Sequence, residues 1–242
     1  MADNEYAFPK DVYKQLQWTM IVAHEMVKSG YNSVLGHLEN PPMNDLSNFL
    51  SYCSVWADIV EKHHGVEEQF LFPALGKKLD FSHELEQHKP IHEGIHKVIA
   101  FLKAAKADHS KFDATVLREL MAAFKDVLFT HLDEEIQDLS PERLQVFTAE
   151  ELKEISDTLD NVARKEGGLL DIMPFAFGNM PVEYKPHFPP GLPGFIRNFL
   201  LPYIIVPIHG GSLITQKNLQ SHSFAQTFVI NTRVDRGTNN VH

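Results

Sequence analysis

Apolar residues recur every three or four positions through most of the first 165 residues, the period of a helix with one buried face. Between residues 10 and about 38 the stripe is Met20, Val27, Tyr31 and Val34, stopped by Asn40-Pro41-Pro42. Phe49, Tyr52, Trp56, Ile59, Val66 and Phe70 predict a second helix from Asn44 or Asp45 to Leu75, with Pro73 straining its last turn and Gly76 ending it. A third is expected from Ser82 to Ala107 on Leu85, Ile95, Ile99 and Leu102, with Pro90 tolerable only in its first turns or at a kink. The fourth spans Asp113 to Leu139 on Leu117, Leu120, Met121, Phe124 and Leu128. Ser140-Pro141 resembles an N-cap with a first-position proline. Thr148 and Glu151 have capping-box spacing, so a shorter fifth helix should end near Lys165.

The pattern changes after Gly167-Gly168. Eight of the chain's 14 prolines lie between Pro174 and Pro207, which predicts mostly irregular chain. Its Phe, Leu and Ile content suggests that it wraps or caps the rest. Only Thr227 to Ile230 looks strand-like, and one short segment builds no sheet. The expected architecture is all-α: an up-and-down four-helix bundle with a short fifth helix in residues 1–165, and a Pro-rich extension in 166–242.

What interrupts the apolar stripes is polar and specific. His24 lies on the first stripe, His63 on the second, His88 and His92 on the third, His131 and Glu135 on the fourth. Histidine is also abundant, 14 of 242 residues, and imidazole is the commonest metal ligand. The second and fourth helices share HxxxE followed by proline ten residues after the histidine: His63, Glu67, Pro73 and His131, Glu135, Pro141. Four residues turn a helix by about 400°, setting histidine and glutamate about 40° apart on one face. An offset of 68 residues also maps His24 onto His92, so the bundle reads as two similar helix pairs. The same offset favours His63 with Glu67 over the overlapping His64 with Glu68, which stays open as the other register. Any one buried histidine is more simply a hydrogen-bonded core residue; the set, on four successive inward stripes, points to metal.

Acidic residues outnumber basic ones 32 to 22, and the net charge of -10 repels phosphate backbones and anionic lipid, so neither nucleic acid nor membrane is expected as a partner. The longest apolar run, near Phe195 to Ile208, is broken by Arg197, Asn198, Pro202 and Pro207 and should not span a bilayer. The N-terminal decapeptide MADNEYAFPK has no apolar core of a secretory signal, and Cys53 is the single cysteine. A reducing, cytoplasmic setting is expected.

In order along the chain, His24, His63 with Glu67, His88 with His92, and His131 with Glu135 resemble the pattern of the hemerythrin-like, HHE cation-binding family. The resemblance covers roughly residues 10 to 165. Its departure is the fourth-helix HxxxE, where oxygen-carrying members have HxxxxD. The resemblance implies a four-helix bundle holding two non-haem iron ions joined by an oxo or hydroxo bridge. On that pattern His24, His63, His88, His92 and His131 are terminal ligands and Glu67 and Glu135 bridge. Such a set fills about eleven of roughly twelve positions on two octahedral irons and leaves one for dioxygen. The rival ferritin-like pairing, Glu61 with His64 and Glu93 with His96, places its ExxH motifs on consecutive helices, out of order for that fold.

The resemblance therefore implies a diiron protein that binds and activates dioxygen, an oxidase or oxygenase acting on a small organic molecule and drawing on an electron donor. The alternative is a non-catalytic protein that stores or senses oxygen, iron or nitric oxide.

Overall fold

The computed structural model describes residues 4–166 and 169–190, and every regular element among them is helical. Four long helices form the bundle: α1 (Val12–His37), α2 (Leu46–Val66), α3 (Ser82–Ala107) and α4 (Ala114–Asp138). α2 packs on both α1 and α3, and α4 on both α3 and α1, as an up-and-down connection of short loops requires. Aspartates start two of them. Asp11 accepts from the backbone N–H of Tyr13, and Asp113 from those of Thr115 and Val116. The fifth helix, α5 (Ala149–Glu166), opens with the reciprocal capping box expected: the Thr148 N–H donates to Glu151 at 2.7 Å and the Glu151 N–H to Thr148 Oγ1 at 3.2 Å. Ser140 differs, making no side-chain cap and starting only the single turn Pro141–Leu144.

The path from α2 to residue 75 is continuous but not uniformly α-helical. Glu67–Leu71 is a π turn in which the Phe72 N–H donates to the Glu67 carbonyl, five residues back, before a last α turn at Phe72–Leu75. The extra residue rotates everything beyond it. Leu71, Phe72 and Leu75 point inward, and Phe70, expected on the core stripe, is 37% exposed. On α3 the inward row is Glu84, His88, Ile91, Ile95, Val98 and Leu102. Leu85 and His92, one heptad apart, fall on its flank, so Leu85 is exposed and His92 half-buried, both against expectation. Pro90 is accommodated inside α3 on its exposed side.

Where irregular chain was expected, residues Leu169–Asn179 form a further helix, α6. It tolerates Pro174 because Met173, Phe175, Ala176 and Phe177 are buried, with α6 packed on α1 and α2. Tyr52 donates to Asn179 Oδ1 at 2.9 Å. Phe175 lies over Gly30, where an added Cβ would come within 2.5 Å of its ring. The apolar run from Phe195 and the strand-like Thr227 to Ile230 lie outside the described residues. No helix among those described is long and apolar enough to cross a membrane.

The apolar interior is divided. One cluster joins Val27, Tyr31, Trp56, Val60, Ile91 and Leu128, and a second joins Leu16, Met20, Leu71, Leu75, Leu139 and Phe147. Along each long helix, the residues between these clusters are the histidines and glutamates of the stripes.

Candidate metal centre

Each bundle helix supplies side chains to this polar layer: His24 from α1, His63 and His64 from the end of α2, Glu67 from the start of the π turn, His88 from α3, and His131 with Glu135 from α4. His24, His64, His88, His131 and Glu135 have no solvent exposure and Glu67 only 2%. His63 is partly open, with 15% of its side chain exposed.

The side chains fall into two groups that share Glu67. His24, His63, Glu67 and Glu135 can each bring a ligand atom within 4.8 Å of the others, and so can His64, Glu67, His88 and His131. Glu67 faces both ways, with Oε1 3.1 Å from His63 Nε2 and Oε2 3.8 Å from His88 Nε2. Glu135 Oε2 lies 3.1 Å from His24 Nε2 and 3.9 Å from His131 Nε2. The two carboxylates stand between two sets of imidazoles, where metal held by both sets could share them.

Hydrogen bonds behind the rings fix which nitrogen points inward. The Nδ1–H of His24 donates to the Leu132 carbonyl at 2.6 Å, that of His88 to Glu68 Oε1 at 3.0 Å, and that of His131 to Gln87 Oε1 at 3.1 Å. Gln87 is held in that orientation by its own donation to Glu134. With their protons directed outward, the Nε2 atoms of His88 and His131 meet as two lone pairs 3.1 Å apart. Such a contact is repulsive unless a cation lies against both. Metal-binding histidines show the same arrangement of an outward proton and an inward lone pair.

Electrostatics agree. Burial pushes His24 down to about 3, opposed by its bond to Leu132, and holds His131 at about 2, with His88 adding to the effect. Burial, then the His24 charge, takes His63 to about 3, and burial holds His64 well below the usual imidazole value. The carboxylates move the other way: burial raises Glu135 to about 7, and burial with the neighbouring Glu135 charge raises Glu67. Both groups are thus held toward neutrality, which is the form in which imidazole binds metal, while the carboxylates would need a nearby positive charge to ionise here. The oxygens of Glu67 and Glu135 and both ring nitrogens of His64 make no hydrogen bond. Buried polar atoms of this kind are rarely left without partners, and metal held here would satisfy the carboxylate oxygens and one nitrogen of His64.

Of the seven residues expected as ligands, the structure gathers His24, His63, Glu67, His88, His131 and Glu135. His92 falls in neither four-residue group, although it reaches His88 together with Glu68. His92 Nδ1 lies 3.0 Å from Glu61 and its Nε2 3.1 Å from Glu68, on the flank of α3. His64 occupies the inward position instead, its ring 4.5 Å from that of His88 and 5.2 Å from that of His131. The count of five histidines and two glutamates is unchanged. The His63-His64 doublet was the available signal for this: consecutive residues diverge by about 100° on a helix, so α2, lying between α1 and α3, can serve both groups. Glu84 was also missed, a buried carboxylate one turn before His88 with Oε2 unbonded. Tyr31, on the His24 stripe, packs against Trp56 and Phe129 with its hydroxyl likewise unbonded.

A cavity of about 280 Å³ opens beside the layer, lined by Glu68, Phe72, Leu79, Phe81 and Leu85 among others. Phe72 closes it against His88, with ring centroids 5.4 Å apart.

Comparison with known proteins agrees with this geometry. Over 204 residues the chain is 26% identical to the dimeric xanthone biosynthesis cluster protein R11 of Cryptosporiopsis sp. (strain 8999), covering 80% of this chain and 74% of that protein. No solved structure matches. Residues 17–142 match the model of the hemerythrin HHE cation-binding domain, a stretch that contains every histidine and glutamate of the buried layer, and the chain belongs to that family.

Proposed function

We propose that the buried layer holds two non-haem irons and that the protein is an oxidoreductase that binds and activates dioxygen to oxidise a small organic molecule. The observation that carries the reading is the pair of four-residue groups sharing Glu67. His24, His63 and Glu135 would hold one ion, His64, His88 and His131 the other, with Glu67 common to both and Glu135 within reach of His131. Bound there, a ferrous pair would supply electrons and an open coordination position for dioxygen.

The chain's own residues set the conditions. Leu132, Glu68 and Gln87 lock three imidazoles in the tautomer that presents Nε2. Leu71 and Phe72 exclude water from the side facing the second apolar cluster. Glu68 borders the cavity while accepting the His88 proton, so a molecule seated there lies one side chain from the layer. The relative's place in a biosynthesis cluster supports a small-molecule substrate. A reducing cytoplasm suits ferrous iron and the free, buried thiol of Cys53, and turnover needs an external electron donor.

The histidine-rich shell favours a second reading, reversible binding of oxygen, iron or nitric oxide without turnover. One experiment addresses both. Protein made in iron-rich medium is assayed for metal, then reduced anaerobically and exposed to oxygen with and without candidate aromatic substrates. About two irons per chain with substrate-dependent oxygen uptake is the expected result; two irons with no uptake favours the binding protein, and zinc or no metal overturns both.

A further inference from the structure

Outside the buried layer, a second cluster of metal-ligating side chains lies on the surface where α2 meets α3. His92 and His96, one turn apart on α3, face Glu61 of α2, and the three can bring ligand atoms within 4.8 Å of one another. His96 Nε2 is 2.9 Å from Glu61 Oε1, and His92 Nδ1 is 3.0 Å from Glu61 Oε2. His96 is 62% exposed and His92 only 23%, so the cluster descends from solvent toward the interior. Two imidazoles and one carboxylate suit ferrous iron or zinc and leave positions for water.

Its relation to the interior gives it a use. Glu68, His88 and His92 form another group within the same 4.8 Å limit, and His88 also belongs to the buried group with His64, Glu67 and His131. Three ligand sets therefore run in series, each sharing one histidine with the next. Both shared rings present one nitrogen outward and one inward: His92 Nδ1 faces Glu61 and its Nε2 faces Glu68, while His88 Nδ1 faces Glu68 and its Nε2 faces the layer, so His88 serves the outer set with its proton on Nε2 and the buried set with it on Nδ1. A hydrated ion cannot enter an unexposed site in one step without shedding its water uncompensated. A ladder of ligands replaces that water a few bonds at a time.

We propose that Glu61, His92 and His96 form an outer divalent-cation site through which the buried pair is loaded. The inference rests on the buried layer being a metal site and adds a route to it. The net charge of -10 draws cations to the surface generally, and these residues give one of them a place to dock.

The test follows loading of metal-free full-length protein with ferrous iron alone, under anaerobic conditions, counting at timed intervals the iron that a strong chelator cannot remove. His96→Ala and Glu61→Gln are expected to reach the wild-type content about tenfold more slowly, with unchanged helical circular dichroism, while His109→Ala, an exposed histidine beyond the far end of α3, loads at the wild-type rate. Equal rates in all four proteins overturn the route and leave the buried pair standing, and so does equal slowing by His109→Ala. A wild type that never protects iron overturns the buried-pair reading and the route with it.

Discussion

His64 shows how a single side chain alters the reading of a site. Its neighbours Glu61, Lys62 and Gly65 make its stretch of α2 look polar, and four-residue spacing alone forces a choice between His63 with Glu67 and His64 with Glu68. The structure takes both histidines and one glutamate, since His63 turns to α1 and His64 to α3 and α4. His63, Glu67, His131 and Glu135 stood out because they repeat between the helix pairs, and His24 because the 68-residue offset maps it onto His92; His64 falls opposite Leu132 at that offset and so left no such trace. If the layer holds a metal pair as proposed, His64→Ala is expected to lose at least one ion, measured by metal analysis, whereas His92→Ala should reach the wild-type content after prolonged loading. The buried histidines also set a pH dependence for chelator-treated protein. Their folded-state values lie below the usual 6.5, near 3 for His24 and His63, so the stability they contribute is complete above 6.5 and is lost as pH falls toward 3. Glu135, raised to about 7, acts oppositely, contributing below its usual 4.5 and losing that contribution as pH rises to about 7. The five depressed histidines of the layer oppose the raised Glu67, Glu84 and Glu135 and the raised His92, and as the larger set they should make the metal-free melting temperature lower at pH 5.5 than at pH 7.5; a higher value at pH 5.5 would reverse that balance.

Among the elements, the four long helices and the capping box at Thr148 were legible because apolar period and cap spacing are local properties. The π turn was not, since five residues carry no period of their own and the rotation appears only in which residues beyond it are buried. The helix α6 was hidden for the opposite reason: Pro174 argues against it locally, and burial against α1 and α2 overrides the argument. Gly30 is the hinge of that docking. A methyl group there would stand 2.5 Å from Phe175 and 2.6 Å from Trp56, so neither large ring could stay in place. Gly30→Ala should destabilise the protein by about 1–3 kcal/mol, beyond the roughly 1 kcal/mol that alanine gains over glycine inside a helix. A lowered urea midpoint would register this, and an unchanged or raised one would mean that α6 does not pack on α1 as described.

At the scale of the whole molecule, the polar layer crosses all four helices and separates two apolar clusters, so the bundle has no continuous hydrophobic interior. The side chains of the layer are buried and held toward neutrality, with Glu67, Glu135 and His64 unbonded, and their burial costs free energy that a bound ion would recover. Removing metal with a chelator should therefore lower the melting temperature, and adding back ferrous iron should restore it. The layer has a consequence for cooperativity as well. With ions in place the two clusters are bound through shared ligands and should exchange their amide hydrogens as one unit. Once metal is removed, the cluster around Leu71, Leu75 and Phe147 is expected to open before the one around Trp56 and Ile91, giving two exchange classes. The metal would then decide whether this chain melts as one body or as two.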